Sequence, residues 1–172
     1  METTQQPQAQ ACAHCQKPTT RHCAGCKDSP ILKDGIDPAR GAPNTDFGRG
    51  FYTTTNRAQA ELWAKTKAAK NGDVPVVLKL TVDRDTLAEL RSLSFVLPNP
   101  DFWSLVERCR DKSDVPYQAE DHYDVIYGPV AKRLGGSKAY GIIEGYDQTS
   151  FHGEAAKAFL NDKRVCKVEV AK

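Results

Sequence analysis

The sequence has little net charge and lacks long apolar runs. Its 24 Lys and Arg residues nearly balance its 22 Asp and Glu residues, for a formal net charge of +2. Such a balance provides neither the basic surface that nucleic acids require nor a polybasic membrane patch. No apolar run approaches the roughly 20 residues that span a bilayer, and the polar start has no signal-peptide core. We therefore expect an intracellular protein, cytoplasmic or nuclear, without a membrane partner, and the composition does not indicate nucleic-acid binding.

The length of 172 residues allows one globular domain and a small appendage, but not two full-sized domains. Residues 1–10 are rich in Gln, Thr and Pro and have no apolar face, so we predict a disordered tail there. A cysteine-rich segment follows over residues 11–28. The main domain is predicted to span residues 30–172.

Four of the six cysteines are crowded into the N-terminal segment. Cys12, Cys15, Cys23 and Cys26 form two Cys-x2-Cys pairs whose spacing suits one tetrahedral Zn²⁺. A segment this short, with few apolar residues, needs the binding energy of a metal to fold. Structural zinc is therefore the prediction, and free thiols or a redox pair are the alternatives.

Residues 12–27 resemble the opening half of a MYND-type zinc finger, a two-zinc module that binds partner proteins. No later cysteine pair follows to complete the cross-braced second site. The resemblance implies a truncated finger with a single four-cysteine site, and a protein partner that binds through it.

Apolar periodicity predicts short helices and short strands in irregular order. Phe102, Leu105, Val106 and Cys109 recur at helical spacing, which predicts a helix over 101–110. Alternation predicts a strand over 76–82 and a last strand over 165–170, in which Cys166 serves as a small apolar residue. The other predicted elements are a helical turn at 30–35, helices over 56–70, 86–91 and 154–160, and strands over 51–54, 95–96, 123–127, 139–143 and 148–152. This mixture predicts an α+β fold with a mainly antiparallel sheet.

Two glycines precede an aromatic strand in DFGRGFYTT, residues 46–54. Glycine allows a ligand to approach the backbone closely, which suggests a binding site. The alternative is a glycine turn that leads into a core strand, with Tyr52 as an ordinary half-buried aromatic residue.

Three segments of the main domain resemble an uncharacterised family within the ADP-ribosyltransferase-like superfamily. They are DFGRGFYTT with the downstream AELWA (residues 60–64), YDVIYGPVA (residues 123–131) and DQTSFH (residues 147–152). The resemblance implies a split antiparallel β-sheet core that clamps NAD⁺, with short flanking helices and the small zinc segment at its N-terminus.

The resemblance also implies roles for particular residues. The cofactor-binding residues would be Gly48, Gly50, Phe51, Tyr52, Thr53 and Thr54. Tyr52 would act at the second catalytic position and stack its ring on nicotinamide. Gln148 would occupy the third position, where glutamate is usual, and it has no charge to stabilise an oxocarbenium-like state. The histidine strand expected before Ile31 is missing.

The glutamine at the third position and the missing histidine strand determine the expected function. We predict an NAD-dependent ADP-ribosyltransferase-like protein whose transfer activity is weakened or lost. The alternative is a non-catalytic protein-interaction module on a degenerate ADP-ribosyltransferase scaffold.

Overall fold

A computed structural model describes residues 8–12, 30–71, 74–110, 119–135 and 139–171. Its helices are α1 (Pro30–Asp34), α2 (Arg57–Asn71), α3 (Arg84–Ala88), α4 (Pro100–Arg110) and α5 (Gly153–Asn161). Its strands are β1 (Gln8–Cys12), β2 (Phe51–Thr54), β3 (Val77–Val82), β4 (Ser92–Ser94), β5 (Val125–Arg133), β6 (Tyr140–Phe151) and β7 (Cys166–Val170). The mixture of short helices and strands confirms the predicted α+β class.

The strands form one sheet in the order β4-β5-β6-β2-β1-β3-β7. Five neighbouring pairs are antiparallel, and only β4 and β5 run parallel. The expectation of a mainly antiparallel sheet is therefore confirmed. The described sheet is mixed and continuous, however, whereas the resemblance implied a split one.

The N-terminal strand β1 was not expected from the sequence. It lies between β2 and β3, with Gln10 opposite both Thr54 and Lys79. The structure therefore differs from the predicted disordered tail at residues 8–10, which it includes in the sheet. Residues 1–7 of that tail, and residues 13–28 of the zinc segment, lie outside the described residues.

Two apolar cores lie on opposite faces of the sheet. On one face, Phe51 of β2 and Phe151 of β6 pack with residues of α1 and α5. On the other, Phe47 packs with Phe102 and neighbouring residues of α4. The predicted α4 stripe is confirmed, since all four of its members are buried: Phe102, Leu105, Val106 and Cys109. Burial raises the pKa of both described cysteine thiols, to about 12 for Cys109 and about 11 for Cys166, which fits their expected role as small apolar residues.

Three elements differ from the sequence prediction. β5 continues through Gly128 and Pro129, where the sequence indicated a stop, because the proline lies at a register irregularity of the β5–β6 pair. β6 is one strand rather than two, and Gly145 within it has a positive φ of 73°. Phe95 follows β4 instead of belonging to a strand of its own.

Candidate functional site

The structure places the two predicted catalytic residues on the same face of neighbouring strands. Tyr52 of β2 is paired with Ser150 of β6. Because side chains alternate along a strand, Gln148 lies on the same face as Ser150 and Tyr52. Such diagonal neighbours are typically about 7–8 Å apart. Phe51 and Thr53 face the other way.

The hydroxyl group of Tyr52 is held by the loop that precedes its own strand. It donates to the Gly48 carbonyl oxygen at 2.8 Å and accepts from the Phe47 N–H at 2.9 Å, and the Thr45 hydroxyl lies 2.7 Å away. Burial raises the pKa of Tyr52 well above its ordinary range. The phenol is therefore a neutral hydrogen-bonding group that ties residues 45–48 to β2.

One motif glycine is favoured by its backbone conformation, and the other is required by a close contact within the chain. Gly48 has a positive φ of 78°, which favours glycine. A side chain at Gly50 would come within 2.8 Å of the His152 ring and of the Phe151 carbonyl oxygen. The space that glycine leaves at position 50 is therefore occupied by Phe151 of β6 and by His152, which follows it.

Polar side chains at the end of β2 are bonded to β6 and to α2. Thr53 donates to the Thr149 carbonyl oxygen at 3.2 Å. The Thr54 hydroxyl lies 2.6 Å from Asp147 Oδ1, which also accepts from the Thr55 N–H, and Asp147 Oδ2 accepts from the Thr55 hydroxyl. Asn56 caps α2, because its side chain accepts from the Gln59 N–H at 3.2 Å. These groups join the β2–α2 turn to β6.

Gln148 belongs to a largely buried polar cluster that no local sequence pattern indicates. Its Nε2 donates to Asp46 Oδ2 at 2.7 Å and to the Pro129 carbonyl oxygen at 3.0 Å. The same Oδ2 atom accepts from the Ala131 N–H at 2.7 Å, and Oδ1 accepts from the Arg110 guanidinium group. Asp46 is 4% exposed, so its charge is balanced inside the protein by Arg110. We call Asp46, Arg110 and Gln148 the Asp46 cluster.

His152 lies beside this region as a buried neutral residue. Its Nδ1 is 2.8 Å from the Arg49 carbonyl oxygen, and its Nε2 is 2.8 Å from the Ser150 hydroxyl. Since a carbonyl oxygen only accepts, Nδ1 carries the hydrogen and Nε2 accepts from Ser150. Burial lowers the pKa of His152 to about 4. Both side chains are fully enclosed, so this pair is a packing feature of the sheet.

Of the four predicted metal ligands, the structure describes the backbone of Cys12 alone, which ends β1 opposite Val77. The other three lie outside the described residues: Cys15, Cys23 and Cys26. Elsewhere in the part of the chain that the structure covers, no group of three or more His, Cys, Asp or Glu side chains is arranged to hold a metal ion. Nor does any helix there have the length and apolar character needed to cross a membrane.

The fold and the site together define an α+β domain with a mixed seven-stranded sheet and a largely buried Asp–Arg–Gln cluster that includes the first residue of its glycine motif. A protein-family profile described as "Protein of unknown function (DUF3990)" matches residues 32–167. Because this span is well over half of the sequence, the chain belongs to that family. No curated protein and no solved structure matches the chain.

Proposed function

We propose that this chain is an ADP-ribosyltransferase-like domain that binds NAD⁺ or a related nucleotide and has weak or no transferase activity. The observation that carries the proposal is the position of Tyr52 and Gln148 on the same face of the adjacent strands β2 and β6. An aromatic ring and a ribose-orienting amide at such separation suit the nicotinamide end of NAD⁺.

The surroundings of Gln148 support weak transfer. An oxocarbenium-like state is stabilised by a preorganised negative charge, which an amide does not provide. The nearest carboxylate is Asp46, and its charge is already paired with Arg110. The added strand β1 has the sequence QAQAC and so contributes no histidine. The chain's own residues can therefore orient a ribose while doing little to stabilise its cation.

A second candidate function is a non-catalytic interaction module, and one observation favours it. The contacts of Gly48, Gly50 and the Tyr52 hydroxyl are all made within the chain. A glycine motif used wholly for packing needs no ligand. Binding measurements separate this scaffold from an NAD⁺ site.

The experiment compares three tyrosine variants by calorimetric titration with NAD⁺. Tyr52→Ala is expected to weaken binding by about 1–3 kcal/mol through lost stacking and apolar contact. Tyr52→Phe keeps the ring and should bind almost as the wild type does. Tyr127→Ala is the matched control, because Tyr127 pairs with Thr149 and lies on the opposite face. Equal affinity in Tyr52→Ala and the wild type would favour the scaffold.

We also propose that the N-terminal cysteines bind one structural Zn²⁺ and that the zinc segment contacts a protein partner. The zinc proposal rests on the spacing of the two Cys-x2-Cys pairs, and the partner proposal rests on the resemblance to a MYND-type finger. A cysteine cluster of this kind is typical of reducing compartments, which supports an intracellular location, cytoplasmic or nuclear.

A further inference from the structure

The side-chain amide of Gln148 has a single possible orientation. Both groups that contact its Nε2, the Asp46 carboxylate at 2.7 Å and the Pro129 carbonyl at 3.0 Å, only accept hydrogen bonds. If the nitrogen and oxygen of the amide were exchanged, Oε1 would face the Asp46 carboxylate and the Pro129 carbonyl, and none of these three oxygen groups can donate a hydrogen bond. Both amide hydrogens are therefore used inside the protein, and Oε1 points away from these partners.

Oε1 is left as an acceptor without a donor. Gln148 is 7% exposed, and no described residue donates a hydrogen bond to this oxygen. A buried carbonyl that loses its hydration without a new donor costs about 1–3 kcal/mol. Native structures rarely leave such a group unpaired, so a donor from outside the described chain is expected here.

Asp46 is what fixes this arrangement. Its carboxylate is itself held by the Ala131 N–H at 2.7 Å and by Arg110, so it does not turn with Gln148. Two acceptor groups, the Asp46 carboxylate and the Pro129 carbonyl, contact the amide nitrogen, and the arginine is paired with Asp46. An incoming carboxylate or phosphate oxygen would find no donor at Gln148, whereas a hydroxyl group would complete its hydrogen bonding.

We infer that Asp46 is a positioning residue that presents Gln148 Oε1 as an obligate acceptor for one hydroxyl donor. This inference rests on the proposed function, under which the hydroxyl belongs to a ribose of NAD⁺. An internal water molecule offers the same O–H chemistry. Measurements without a ligand test the geometry of the amide, and measurements with NAD⁺ test the identity of the donor.

The first arm measures the amide without any ligand, by NMR on the full chain with labelled glutamine side chains. The Gln148 signal is assigned by its loss in Gln148→Met. Both Nε2 hydrogens are expected to exchange with water at least about tenfold more slowly than those of exposed glutamines. Asp46→Ala removes one of the two acceptors, so it should speed the exchange of the Nε2 hydrogens and move the Gln148 side-chain carbonyl signal. Rapid exchange in the wild type overturns the positioning role, even if the variant fails to fold.

The second arm identifies the donor by adding NAD⁺ to the labelled wild-type chain. A shift of the Gln148 side-chain carbonyl signal that saturates with NAD⁺ supports the inference. If NAD⁺ binds saturably and moves other signals but leaves the Gln148 signal unchanged, only the ligand role of Gln148 is overturned. A cross-peak between water and Gln148 would then identify water as the donor. Absence of any binding overturns both the proposed function and the ligand role, while the first arm still decides the role of Asp46.

Discussion

Replacing Gln148 with glutamate should destabilise this protein, although the resemblance to ADP-ribosyltransferases would suggest a gain in activity. The new side chain would place a carboxylate where the amide now donates to Asp46 at 2.7 Å and to the Pro129 carbonyl at 3.0 Å. The Pro129 carbonyl and Asp46 would each lose the hydrogen bond from the amide, although Asp46 Oδ2 would keep the one from the Ala131 N–H, and two like charges would meet. Any catalytic benefit of the added charge is then opposed by the Asp46 cluster.

The expected size of the effect follows from these contacts. A buried acceptor left without its donor costs about 1–3 kcal/mol. Two unit charges about 4 Å apart at an effective dielectric of about 20 repel by about 4 kcal/mol, and protonation of the introduced group limits this term. We expect Gln148→Glu to lose about 3–5 kcal/mol at pH 7. Gln148→Met, which removes the donor without adding charge, should lose about 1–3 kcal/mol.

The pH dependence of stability separates the cost of the lost hydrogen bonds from the cost of the charge repulsion. The introduced carboxyl group should have a pKa above its unfolded value of about 4.3. Its penalty is then fully present above the folded-state pKa and disappears as the pH falls toward 4.3. The assay is urea unfolding of the wild type, Gln148→Glu and Gln148→Met between pH 8 and pH 5. Equal stability of Gln148→Glu and the wild type at pH 8 would refute the arrangement of the Asp46 cluster.

Further predictions concern the glycine motif, the buried histidine and the metal. Gly50→Ala should cost about 1–3 kcal/mol in thermal or urea unfolding because its Cβ would meet the His152 ring at 2.8 Å, whereas Gly135→Ala, with nothing within 4 Å, should be neutral. Because the pKa of His152 is lowered to about 4, its folded form resists protonation, and stability should fall by about 2–3 kcal/mol from pH 7 to pH 4.5. His152→Asn should show a smaller loss over that interval, and an equal loss would contradict the assignment. The purified full chain should contain about one zinc per molecule by elemental analysis, and a zinc-free folded chain would disprove the four-cysteine site.

The sequence predicted those elements whose apolar pattern is local. Helix α4 has four apolar residues at positions i, i+3, i+4 and i+7, and strand β3 alternates, so both were recognisable. β5 was predicted to end at Gly128-Pro129, but proline is tolerated where the register of two strands shifts. Helix α2 buries Ala60, Ala64 and Ala68, while its large aromatic residue, Trp63, is 41% exposed.

The candidate site was predictable only in part, because some of its residues lie in short local motifs and others are brought together only by the fold. Tyr52 and the glycines lie in one short motif, and Gln148 lies in a second one. The contact between Asp46 and Gln148 joins residues 102 positions apart, and Arg110 comes from a helix end between them. No periodicity or spacing signals such a contact, because it depends on the pairing of β2 with β6, and α4 contributes only Arg110 to it. Asp46 stood at the start of the recognised motif without any sign that its carboxylate was buried.

The most direct test of the proposed function is calorimetric titration of the full wild-type chain with NAD⁺. We predict saturable binding at one site per chain, because Tyr52 and Gln148 lie on the same face of neighbouring strands. Binding should weaken in Tyr52→Ala and remain in Tyr127→Ala. A wild-type chain that is folded by circular dichroism and gives no saturable heat with millimolar NAD⁺ would contradict the proposal.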